Sequence, residues 1–189
     1  MSAPDNELLA KVVQSLSQPS VDAEGAATGS ILGVAAASYG SRPDEEENTV
    51  PTGFDPRAAA LFEAVVEAAF LVANADGEFD ADERAAFEDV VVKASGKNVD
   101  ARQVQALLAD LAELLDEDGL DTRIKMIGRT VTNQMHQREV LRVAALLAHI
   151  SGGVSDVEKN VLNSLAGAFD LEESTVSDAI ASAEKTLAS

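Results

Sequence analysis

Five carboxylates, Asp76, Glu78, Asp80, Asp82 and Glu83, fall within eight residues of one another. Carboxylate oxygens at that density suit a hard divalent cation such as calcium or magnesium. Read as a calcium-hand loop with Gly77 in the sixth place, the third and fifth places are Asn74 and Asp76, and the twelfth is Glu83. The first place is Val72, which carries no ligand oxygen. A site built from Asn74, Asp76, Asp80 and Glu83 is therefore incomplete, with an affinity on the order of 10⁻⁴ to 10⁻³ M or weaker. A second stretch, Ala148 to Glu158, repeats the pattern with fewer oxygens: Ser151 stands for the aspartate and His149 for the asparagine. The expectation is a weak cation at the first turn or none at all, and a second turn, marked by Ser151 and Glu158, degraded as a site.

Helix punctuation explains much of the same motif. Gly77 and Gly152 suit the left-handed residue that closes a helix. Asp80 with Glu83, and Ser155 with Glu158, have the spacing of capping boxes that open the next helix. Phe79 and Val154 then staple each turn to a core. Asp76 is the residue that punctuation leaves over. The catalytic inventory is thin: His136 and His149 are the only histidines, and there is no phosphate loop, nucleophile elbow or dinucleotide fingerprint. His149 reads as a polar residue near a helix end and His136 with Glu139 as a capping pair. The expected protein is not an enzyme.

Charge supplies a second candidate surface. The 189 residues carry a net charge of −19, which disfavours nucleic acid and anionic membrane surfaces as partners. The charge is uneven. Residues 76–121 hold fourteen acids and four bases, a net of −10, whereas residues 122–155 hold five bases and one acid, a net of +4. The bases are Arg123, Lys125, Arg129, Arg138 and Arg142. Such a stripe is either a solvated face and internal partner for the acidic half, or a docking surface for an acidic peptide. The chain's own run Asp44-Glu45-Glu46-Glu47 is one such peptide.

The elements that must position these residues are helical. From Asp55-Pro56 onward, apolar residues recur at three- and four-residue spacing, as in Phe62, Val65, Val66, Ala69, Phe70 and Ala73. The spacing predicts seven helices, at about 57–75, 81–95, 101–116, 121–134, 137–151, 156–169 and 173–187, and no strand. Val66, Ala69, Phe70 and Ala73 superpose on Leu141, Ala144, Ala145 and Ala148 after a shift of 75 residues. The same shift carries Phe87, Val90, Val91 and Ala94 onto Leu162, Leu165, Ala166 and Phe169, and a shift of 72 relates Val104 to Val176. The fold class is an all-α, seven-helix bundle of two pseudo-repeats of three helices joined by a linking helix. Residues 1–55, with Pro19, Pro43, Pro51 and a Gly/Ala/Ser stretch, read as a flexible acidic leader carrying a short helix at 6–17. Either this leader stays disordered, or that helix or the apolar Ile31-to-Tyr39 patch docks onto a partner or onto the domain itself. No cysteine is present, no apolar run reaches bilayer length, and the default location is the cytoplasm.

The alanine-rich helix leading to Ala75-Asp76-Gly77, Glu83 seven residues beyond Asp76, and a second turn at Ser151-Gly152 with Glu158 resemble the tellurite-resistance TerB-like family. The resemblance covers about residues 57–187, so that 56–189 reads as a TerB-like domain. A related module forms the N-terminal part of a membrane-anchored co-chaperone of the DjlA type. The resemblance implies a seven-helix bundle of two pseudo-repeats, a part in tellurite or stress resistance, and a protein partner near the cytoplasmic membrane without insertion into it. It points to Asp76, Glu83 and Glu158 as the site positions. The family commonly has Asp where Ser151 stands, so two equivalent metal sites do not follow. A purely structural adaptor, assembling through its acidic leader and basic fourth helix, is the competing class.

Overall fold

The computed structural model describes residues 6–18, 20–21, 27–28, 30–41, 54–77, 79–172 and 174–188. Among them are nine α-helices: α1 (Asn6–Ser17), α2 (Ile31–Gly40), α3 (Pro56–Ala73), α4 (Ala81–Ala94), α5 (Ala101–Asp118), α6 (Leu120–Thr130), α7 (Gln134–Ala148), α8 (Asp156–Ala168) and α9 (Ser174–Ala188). A two-residue antiparallel pairing, Ser20–Val21 with Ala27–Thr28, joins α1 to α2. No strand was expected, and a pairing this short has no alternation to detect.

The helix starts follow from local chemistry. Asp55 accepts the Arg57 amide at 2.9 Å, and Pro56 occupies the first turn, where a missing N–H costs nothing. Asp100 and Gln103 close a reciprocal capping box on α5. Several helix ends differ from the periodicity; α6 stops at Thr130 rather than 134, and α7 at Ala148 rather than 151. Helix α5 runs past the expected 116 through Glu117 and Asp118, until Gly119 at φ +76° stops it. Helix α7 starts at Gln134 because Asn133 caps it by accepting the Met135 and His136 amides. The capping role expected of His136 and Glu139 therefore belongs to Asn133.

Helix α3 is buried on nearly every side from Ala64 to Val72, and α7 from Glu139 to Ala148. A helix apolar all round must be central. The first turns of α3 and α7 line one large groove, and Ala73 and Leu147 in their last turns line one small cavity. The two central helices thus run parallel, with distinct ends.

The first 55 residues do not behave as an unpacked leader where they are described. Val12, Leu16, Ile31, Leu32, Ala35, Ala36 and Tyr39 belong to the same buried core as α3–α9. Tyr39 lies 4.9 Å, ring to ring, from Phe62, and Lys11 donates to the Leu187 carbonyl at 3.0 Å. Gly40 sits so close to the α4–α5 loop that a Cβ there would lie 1.8 Å from the Asn98 carbonyl oxygen. The apolar patch 31–39 docks on the domain itself, because its Ile, Leu, Ala and Tyr side chains have α3 to bury against. The acidic run 44–47 lies outside the described residues.

Candidate functional site

The two matched turns meet at the C-terminal ends of α3 and α7. In the first, Asn74 closes α3, its carbonyl accepting the Gly77 amide at 3.1 Å, and Gly77 takes φ +78°. Asp80 Oδ1 accepts the amides of Asp82 and Glu83, each at 2.9 Å, and Glu83 Oε2 accepts the Asp80 amide at 3.2 Å. The second turn repeats the scheme. Gly152 takes φ +112° after a 3₁₀ turn at His149–Ser151, and Glu158 Oε2 accepts both the amide of Ser155, at 2.7 Å, and its hydroxyl, at 2.8 Å. Glu83 and Glu158 are both buried. Phe79 packs edge-on against Phe70 and Phe87, with centroids 6.0 and 5.7 Å away. Phe79, Glu83, Phe87 and Ile150 then close over a void of only about 10 Å³.

Capping thus engages Asp80, Glu83 and Glu158, and Asp76 is left at the surface, as the sequence implied. An electrostatic relation also spans the two turns. Burial raises the Glu158 carboxyl above its ordinary pKa, the Ser155 hydrogen bonds oppose that, the negative charge of Asp76 adds to the rise, and His149 opposes it. His149 Nδ1 lies 2.7 Å from the Ala145 carbonyl, so this nitrogen carries the proton. Among the described residues no three His, Asp or Glu side chains converge as ion ligands. Asn74, Asp76, Asp80 and Glu83 belong to one turn and the helix start that follows it. Glu78 and the Ser151 side chain lie outside the described residues.

The basic stripe divides. Arg123 is turned inward: its Nε donates to Glu67 Oε1 at 2.6 Å and its Nη1 to Asp118 Oδ2 at 3.0 Å. Glu67, only 6% exposed in the middle of α3, has its carboxyl raised by burial, against the pull of Arg123. Arg142 is also internal, gripping Glu139 through two nitrogens and donating to Ser15 of α1 at 3.1 Å. Both guanidinium groups are held in ion pairs within the chain. Lys125, Arg129 and Arg138 are exposed. The Glu67–Arg123 pair escaped the sequence reading. Its one signal was a carboxylate inside the unbroken apolar stretch 64–73, and its partner lies 56 positions away.

At the opposite, N-terminal ends of α3 and α7 lies a groove of about 1490 Å³, bounded among the described residues by α2, α3, α7, α9 and the α6–α7 connection. Arg57, Arg138, Val34 and Met135 line it. The sequence marked Arg138 as a base of the stripe and Val34 only as part of the Ile31-to-Tyr39 patch, since a concave surface between four helices has no linear motif.

No helix among the described residues is long and apolar enough to cross a membrane. No curated protein and no solved structure matches the chain. The family described as "Tellurite resistance protein TerB" matches residues 62–181, from the first turns of α3 into α9. All three capping boxes, both turns and the N-terminal end of α7 lie inside that span, which is more than half of the sequence, and the chain belongs to the TerB family.

Proposed function

We propose that this chain is a non-enzymatic helical module of a cytoplasmic tellurite- or stress-resistance system, and that it works by binding a protein partner. The observation that carries the reading is the groove of about 1490 Å³, in which Arg57 and Arg138 have no side-chain partner among the described residues of a chain with net charge −19. Helices α3–α5 and α7–α9 are two pseudo-repeats with α6 as the link. The paired capping boxes and the positive-φ glycines at 77 and 152 support that division. The test is cross-linking of the full chain in tellurite-stressed cells, followed by reconstitution with each purified candidate. A complex of fixed stoichiometry is expected; purified candidates that all fail to bind overturn the reading.

A divalent cation near Asp76 is the secondary element of this proposal. The repulsion between Asp76 and Glu158 supports it, because a cation would relieve that repulsion. At tenfold excess over its dissociation constant, calcium or magnesium would stabilise the fold by about 1.4 kcal/mol. A melting temperature that chelator and metal leave unchanged removes the cation and leaves partner binding intact. An adaptor that assembles without any ligand remains the alternative, supported by the exposed Lys125 and Arg129 on α6.

A further inference from the structure

We propose that the groove at the N-terminal ends of α3 and α7 is the docking site for an acidic segment of a separate protein that also carries apolar side chains. The proposal rests on the partner-binding reading above and adds the chemistry of the partner.

Two apolar side chains mark the groove. Val34 of α2 is 64% exposed and Met135 of α7 is 43% exposed, and both line it. A single exposed aliphatic residue on a surface needs no explanation, but two on one concave surface form a contact patch. Methionine suits such a place, since its flexible thioether adapts to the shape of an incoming side chain. Tyr39 and Gly40 fix the far end of α2 against α3 and the α4–α5 loop, so the wall that bears Val34 is held in place.

The electrostatics select the sign of the partner. Arg57, Arg138 and Arg142 line the groove against Glu139 and Asp178. Arg142 and Glu139 neutralise each other, which leaves two exposed guanidinium groups and one carboxylate. The positive end of the α7 dipole points the same way, since α7 is capped by neutral Asn133, whereas the Asp55 carboxylate offsets that of α3. A basic segment would meet like charge here and is better served by the carboxylates of residues 76–121. A long polyanion would be repelled by the rest of the molecule. A short acidic segment feels mainly the charges within a Debye length of about 8–10 Å, and so the local sign decides. Carboxylates on the arginines and apolar side chains against Val34, Leu61 and Met135 describe the occupant.

The experiment uses the full chain and a short fluorescein-labelled peptide alternating glutamate with leucine, read by anisotropy. Two control peptides replace every glutamate by glutamine or every leucine by serine. Saturable binding is expected for the first peptide only, weakening as salt rises. Arg138→Glu and Arg57→Glu should each weaken it about tenfold or more, and Val34→Ser should weaken it as well. Lys125→Glu makes the same charge change outside the groove and should leave the dissociation constant within about twofold. Thermal melts show that each variant is folded, which the exposure of all four residues favours. Equal losses from Lys125→Glu and Arg138→Glu overturn the proposal in favour of diffuse electrostatics. Absence of peptide binding, with a dimer that Arg138→Glu dissociates, overturns it in favour of a second copy of this chain. If a reconstituted partner complex survives Arg138→Glu but is lost on Asp76→Asn, the groove assignment falls and partner binding stands. If neither peptide nor partner binds, both fall.

Discussion

The two ends of the parallel pair α3 and α7 are made from similar helices and differ in what they leave unsatisfied. At the C-terminal end, both chain reversals close on themselves: capping boxes engage Asp80, Glu83, Ser155 and Glu158, and Phe79 and Ile150 help to close a void of about 10 Å³. At the N-terminal end, four helices enclose about 1490 Å³ and leave Arg57, Arg138, Val34 and Met135 facing it. The residues that look most like a site in the sequence are thus largely occupied in holding turns together. Those that look least like a motif remain open to a ligand. Carboxylates at helix starts are common because they satisfy amides that the helix cannot. Their density alone does not make a site.

The largest expected effect tests the frame that keeps the two ends apart. Arg123→Ala leaves the Glu67 carboxylate buried in α3 without its cation, and the expected loss is about 3–5 kcal/mol of stability by urea unfolding. Adding Glu67→Gln should return most of it, since the neutral amide has no charge to desolvate. A loss below about 1 kcal/mol for Arg123→Ala would mean that Glu67 reaches water, and that α6 is not fastened to α3 through this pair.

An intermediate effect is confined to the groove end. Gly40→Val inserts a side chain where even a Cβ would lie 1.8 Å from the Asn98 carbonyl oxygen, so α2 must shift or detach. A loss of about 1–3 kcal/mol is expected, typical of overpacking. Amide exchange should rise in α2 and not at the turns around Gly77 and Gly152. Faster exchange at both ends alike would show that the two ends are not independent.

The sequence carried the helices of the family domain well, because a period of 3.6 with caps such as Asp55-Pro56 and Asp80…Glu83 is local information. It also carried the pairing of the two turns, since Gly77 and Gly152 are needed for their φ values. Three things were not legible. The helix at 6–17 is periodic in the sequence, but that it and the 31–39 segment both pack into the domain core is not legible there, because the burial of Val12, Leu16 and Leu32 depends on a surface supplied by other helices. The basic stripe read as one surface, yet Arg123 and Arg142 turn inward to carboxylates at 67 and 139, a choice made by packing. The groove is a property of four helices together and has no sequence signature.

The smallest effect concerns the turn end and has a definite sign. Glu158 has a folded-state pKa raised above 4.5 by burial, with Asp76 adding to the rise. For a carboxyl raised on folding, the folded state binds the proton more tightly than the unfolded state, so lowering the pH favours folding. The contribution is fully present below about 4.5 and is lost as pH rises through the folded-state value. Glu67 adds a term of the same sign. Between neutrality and that window these two groups oppose the usual acid destabilisation. Glu158→Gln removes the titration and retains an oxygen that can accept the Ser155 amide, so it should leave stability at neutral pH equal or slightly higher, and flatten the rise on acidification. Asp76→Asn should do less: it keeps the titration and moves the Glu158 midpoint down toward 4.5, measurable by carboxyl-carbon NMR. A Glu158 midpoint that does not respond to Asp76→Asn would separate the two turns electrostatically. It would remove the electrostatic coupling between them, and with it the reason for a cation there.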